Sequence, residues 1–62
     1  MGDRIKARRC ELGLSQEELA NRAGMSRVQI SNLERGVSQF ATSKTIEKLA
    51  AALEVSPSYF FE

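Results

Sequence analysis

Arg27, Val28, Ser31, Asn32 and Arg35 carry the side chains of this chain best suited to recognising another molecule, and their spacing is helical. At about 100° per residue, all five fall on one side of a helix running from Ser26 to Gly36. Ile30 and Leu33 fall on the opposite side, with Glu34 at their edge. The outer stripe therefore holds two guanidinium groups, a hydroxyl, a carboxamide and a methyl-bearing side chain. A guanidinium fork matches the two acceptors of guanine, a carboxamide matches the donor and acceptor of adenine, and a valine fits a thymine methyl. Such a stripe can read base edges in a DNA major groove and hold a neighbouring phosphate. The plainer reading is the wet face of an ordinary amphipathic helix, on which Val28 would be out of place. What precedes the helix decides between them.

That preceding stretch carries one pattern twice. Gly13-Leu14-Ser15-Gln16-Glu17-Glu18-Leu19 is followed by Gly24-Met25-Ser26-Arg27-Val28-Gln29-Ile30. In each, a glycine ends one helix and a serine starts the next, with Glu18 or Gln29 at the third helical position. This is the capping box, in which side chain and backbone satisfy each other's free donors. Leu14 on Leu19, and Met25 on Ile30, are placed to pack across each helix start. The repeat is capping chemistry and is too short for a solenoid. Leu19, Ala20 and Ala23 give the intervening helix a small-residue face for close approach. The turn from Ala23 to Ser26 is too short for antiparallel helices and suits a steep crossing, as in a helix-turn-helix unit.

Upstream, Asp3 to Leu12 reads as a helix with Ile5, Arg9 and Leu12 on its inward stripe, ended by Gly13. Arg9 on that stripe and Glu34 on the inward edge of the third helix are charges where apolar residues belong. Each would be costly to bury alone and their signs are opposite, so the sequence predicts a partly buried pair fixing the third helix on the first. Downstream, Val37 to Ser43 lacks periodicity and reads as a loop. Lys44 to Leu53 is a helix burying Ile46, Leu49, Ala50 and Leu53. Ser56 and Pro57 start a last helix, with Val55 packing on Phe60. Tyr59, Phe60 and Phe61 cannot all enter one small core, so at least one is expected to meet a second subunit or a following domain.

The 62 residues make one domain, residues 1–62, with the paired-helix motif at about 15–36. The fold class is all-α, a compact bundle of about five short helices. No apolar run reaches membrane-spanning length and no stretch resembles a signal peptide, which fits a cytoplasmic setting. The lone Cys10 makes no internal bridge and reads as a small, partly covered side chain, with a redox sensor as the alternative. Catalysis has little to stand on: there is no histidine, no glycine-rich phosphate loop and no metal-ligand spacing, so no cofactor and no metal are expected. The net charge of +1 is low for a nucleic-acid binder. The first ten residues are nonetheless basic, with Arg4, Lys6, Arg8 and Arg9 against Asp3, and a local patch aided by helix N-termini can hold phosphate without a high overall charge.

Three stretches together carry a family resemblance. These are R-I-K-x-R-R-x-x-x-G-L-S-Q-E-E-L-A, then A-G-M-S-x-x-x-I-S-N-L-E-R-G, then K-L-A-A-A-L-x-V-S. The chain resembles the lambda-repressor/Cro-type helix-turn-helix domains of phage repressors and bacterial regulators over nearly its whole length. The resemblance implies a five-helix domain binding operator DNA as a two-fold homodimer, with the third helix in the major groove. It implies base contacts by Arg27, Val28 and Asn32, with Ser31 between them. Gln16 matches a position that bonds phosphate and braces the first base-reading side chain. Arg35 and the loop beyond it match backbone-contacting positions, and Arg9 with Glu34 match a buried ion pair. The loop departs from the family pattern: Val37-Ser38-Gln39-Phe40-Ala41-Thr42-Ser43 lacks proline and stays uncharged until Lys44. Phe40 reads either as an anchor for that loop or as a contact to a partner subunit.

The expectation is a sequence-specific DNA-binding regulator, of repressor type, with no small-molecule substrate and no membrane partner. Gln16, Arg35, Ser38, Gln39 and Lys44 would set its register on the DNA backbone. The competing expectation is a helical protein-interaction module that keeps the fold without binding DNA, favoured by the low net charge and uncharged loop. Family members often continue into an oligomerisation domain, so this stretch alone is expected to dimerise weakly.

Overall fold

Four α-helices and one 3-10 helix follow one another in the computed structural model, which describes residues 2–36 and 42–61. They are α1 (Gly2–Glu11), α2 (Gln16–Ala23), α3 (Arg27–Arg35), α4 (Ser43–Leu53) and the 3-10 helix Pro57–Phe61. The described residues include no strand. The expectations placed on Ser38, Gln39 and Phe40 lie outside the described residues. The fifth helix is therefore a tight five-residue element rather than an α-helix, as is common for short helical pieces.

The boundaries follow from the caps. The Ser15 hydroxyl accepts from the Glu18 N–H at 3.0 Å, and the Glu18 carboxylate accepts from the Ser15 N–H at 2.9 Å. Ser26 and Gln29 repeat the arrangement at 3.1 and 2.9 Å. Each such cap contributes about 1 kcal/mol, a large share in a domain this size. Gly24, at φ 66°, takes the left-handed turn that ends α2, which lets the Met25 N–H reach the Ala20 carbonyl at 2.8 Å. Helix α4 starts one residue before the expected Lys44, because Thr42 caps it by accepting from the Thr45 N–H at 3.2 Å. It ends at Glu54, a non-glycine residue at φ 59°. The end at Leu53 is the one read from the sequence, but no glycine announces the left-handed residue that follows it.

Ile5, Leu19, Ile30, Leu49 and Leu53 are fully buried, one or two from each α-helix. Burying each contributes about 1.5–3 kcal/mol. Ala20, Ala23 and Ala50 line the same core, where short side chains let α2 lie close to both α3 and α4. Phe60 is buried and Tyr59 half-buried, while Phe61 is 67% exposed. The Tyr59 ring lies edge-on to Phe60 and carries the Arg4 guanidinium over its face at 5.2 Å. Arg8 donates through Nε to the Leu53 carbonyl at 3.0 Å, tying α1 to the end of α4. Cys10 is exposed, contrary to the partly covered position expected of it. It follows Ile5 by five residues and so sits about 140° from the inward stripe.

One close approach sets the seat of α3. A Cβ placed on Gly2 would lie 2.5 Å from the Leu33 carbonyl oxygen and 2.7 Å from that of Glu34. Only glycine lets the start of α1 press against the carbonyl end of α3 in this way.

Candidate nucleic-acid interface

Helix α3 displays its outer stripe from a fixed base. Its inward residues Ile30 and Leu33 are buried, and the capping box at Ser26 sets where its first turn begins. Arg27 and Arg35 are exposed, Ser31 and Asn32 half-buried, and Val28 is 63% exposed. Val28 thus leaves an apolar side chain open to water on the outer face, as Phe61 does on the 3-10 helix. Nine residues make a helix about 13 Å long, comparable with the roughly 12 Å width of a B-DNA major groove. The first turn of α3 holds no acidic residue, whereas that of α2 holds Glu17 and Glu18. The positive end of the α3 dipole is therefore left for an anion, and that of α2 is partly neutralised.

The far end of α3 is held by its ion pair. Arg9 Nε lies 2.7 Å from Glu34 Oε2, and Arg9 Nη2 donates to Glu34 Oε1 at 3.1 Å, a two-pronged contact. The side chains are only 12% and 3% exposed. Arg9 Nη1 adds a bond to the Leu14 carbonyl at 2.7 Å, so one guanidinium links α1, the turn before α2 and the last turn of α3. Hydrogen bonding to Glu34 raises the Arg9 pKa above its ordinary value, with burial acting the other way. At the start of α2, the Ser15 backbone N–H and then its hydroxyl hold the Glu18 carboxyl below the usual carboxylate range.

Gln16 is half-buried, and its amide Nε2 donates to Glu34 Oε1 at 3.2 Å. Among the described residues its partner is thus Glu34, not the first side chain of the outer stripe, Arg27. Lys44 is exposed in the first turn of α4. Ser38 and Gln39 lie outside the described residues. Sequence reasoning missed the Gln16–Glu34 bond and the Gly2 approach, because both join segments far apart in the chain with no local pattern to announce them. Among the described residues, no group of histidine, cysteine, aspartate and glutamate could hold a metal ion, and no helix is long and apolar enough to cross a membrane.

A model of the helix-turn-helix family matches residues 5–60. The chain belongs to that helix-turn-helix family. SinR of Bacillus subtilis, a helix-turn-helix transcriptional regulator, is 39% identical over 56 residues, covering 90% of this chain and 50% of SinR. Repressor protein C2 of Salmonella phage P22 is 37% identical over 62 residues, covering 100% of this chain and 28% of the repressor. The chain spans about half the length, or less, of such family members. Among solved structures, SinR in complex with DNA superimposes with a TM-score of 0.94 at 36% identity, over 98% of this chain and 97% of that one. The P22 c2 repressor with a synthetic operator gives a TM-score of 0.87 at 38% identity, over 94% and 86%.

Proposed function

We propose that this chain is the DNA-binding domain of a transcriptional regulator, acting in the cytoplasm as a homodimeric repressor on a two-fold operator. In this reading α3 lies in the major groove. Arg27 takes a guanine through a bidentate bond, Asn32 takes an adenine, Val28 meets a thymine methyl and Ser31 bonds an adjoining base edge. Arg35, Gln16 and Lys44 hold the phosphate backbone, joined by Ser38 and Gln39 from the loop after α3. The observation that carries the reading is the outer face of α3: two exposed guanidinium groups flank a 63%-exposed valine on a helix fixed at both ends. The solved complexes of SinR with DNA and of the P22 repressor with a synthetic operator support the same class of partner.

Selection of bound sequences from a random duplex pool tests it, followed by the selected site against two variants. Arg27→Ala should lose about 1–3 kcal/mol and relax preference at one base pair. Arg35→Ala should weaken all sequences alike and flatten the salt dependence by about one unit of slope. Uniform loss from both variants would remove base reading from Arg27. The net charge of +1 favours a second reading, a protein-interaction module of the same fold. Salt-sensitive binding of random-sequence duplex at low salt separates the two, since a DNA-binding domain shows it and an interaction module does not.

A further inference from the structure

Glu34 accepts hydrogen bonds from two different helices. Arg9 of α1 occupies both of its oxygens, and Gln16 of α2 shares Oε1 at 3.2 Å. The side chain is 3% exposed and both of its oxygens act as acceptors toward Arg9, so it meets the nitrogen end of the Gln16 amide. That settles an orientation which a glutamine side chain otherwise leaves open by a half-turn about its last bond. One N–H of Gln16 is committed inward, and the second N–H is directed away from the carboxylate. Glu34 directly precedes Arg35 and follows Ser31 by three residues, so this half-buried amide sits at the margin of the outer stripe of α3.

Resting on the DNA reading above, we propose that Glu34 is a positioning residue for Gln16. It holds the amide with its second N–H presented to a DNA phosphate beside α3. The Arg9–Glu34 pair then has a second task besides seating α3. It holds the carboxylate in place through both oxygens, and so keeps a neutral backbone contact aimed. In Glu34→Gln the new amide can donate as well as accept, both orientations of Gln16 become possible, and the aim is lost.

The test has two arms. In the native chain, the Gln16 side-chain amide should give two well-separated proton NMR signals, one shifted downfield and slow to exchange through its bond to the carboxylate. Signals like those of a free glutamine would overturn the proposal whether or not any variant folds. In the second arm, affinity for random-sequence duplex DNA at low salt is measured for the native chain, Gln16→Met, Glu34→Gln and the double variant. Each is first checked by circular dichroism to be folded at the measuring temperature. Gln16→Met should bind about three- to tenfold more weakly, with an unchanged salt slope because the amide carries no charge. Glu34→Gln should weaken binding in the same range, and the double variant should be no weaker than Gln16→Met alone. Multiplying losses would show that Glu34 acts on binding only through the fold and would overturn the proposal, leaving the DNA reading intact. A native chain that binds no duplex would remove the DNA reading, and this proposal with it.

Discussion

Removing the carboxylate of Glu34 is the sharpest perturbation of the framework that carries α3. In Glu34→Ala, Arg9 keeps its bond from Nη1 to the Leu14 carbonyl but loses the partners of Nε and Nη2, in a side chain only 12% exposed. An uncompensated charge at that depth costs about 3–5 kcal/mol. A chain of 62 residues has a total stability of about 3–9 kcal/mol at typical values per residue. For a domain this small each kcal/mol moves the thermal midpoint by about 4–8 °C, so the expected drop is on the order of 12–40 °C. Thermal unfolding followed by circular dichroism measures it directly. The paired replacement Arg9→Met with Glu34→Leu should recover most of the loss, because neither charge is then left without its partner. A Glu34→Ala midpoint within about 5 °C of the native value would refute the reasoning, since an exposed pair contributes only about 0–1 kcal/mol.

Three further outcomes follow from the same geometry. Gly2→Ala brings a Cβ against the Leu33 and Glu34 carbonyls and should cost about 1–3 kcal/mol in chemical denaturation, whereas alanine at an ordinary helical glycine would stabilise. Glu54→Gly should stabilise by about 0.5–1 kcal/mol in the same assay, because it relieves a left-handed residue of about 1–2 kcal/mol while adding freedom to the unfolded chain. The Glu18 carboxyl has its pKa lowered by folding, so its contribution is present above the ordinary value of 4.5 and fades as pH falls through the lower folded value. Denaturation midpoints measured from about pH 6 to pH 3 should therefore fall less steeply for Glu18→Gln than for the native chain.

The helices and their starts were legible because the signals are local. Ser15 with Glu18, and Ser26 with Gln29, announce two helix starts within four residues each, and Gly24 and Gly36 announce two stops. The Arg9–Glu34 pair was legible for a different reason, as two opposite charges breaking two apolar stripes. What the sequence hid was contact between distant segments: Gly2 under α3, Arg8 on the Leu53 carbonyl and Gln16 on Glu34. The end of α4 at Leu53 was legible from its apolar period, but the left-handed conformation at Glu54 was hidden because the residue there is the wrong type to advertise it. For the outer face, type and spacing sufficed to propose Arg27, Val28, Ser31, Asn32 and Arg35 together. Their common side follows from the helical period alone.

The central claim is that this outer face of α3 meets DNA, and amide NMR spectra recorded while duplex DNA is added at low salt test it most directly. Salt-sensitive shifts should concentrate at Arg27, Val28, Ser31, Asn32 and Arg35, extending to Gln16 and leaving the 3-10 helix at Pro57–Phe61 unmoved. Spectra unchanged at saturating duplex, or shifts gathered around Phe61 while α3 stays silent, would contradict it.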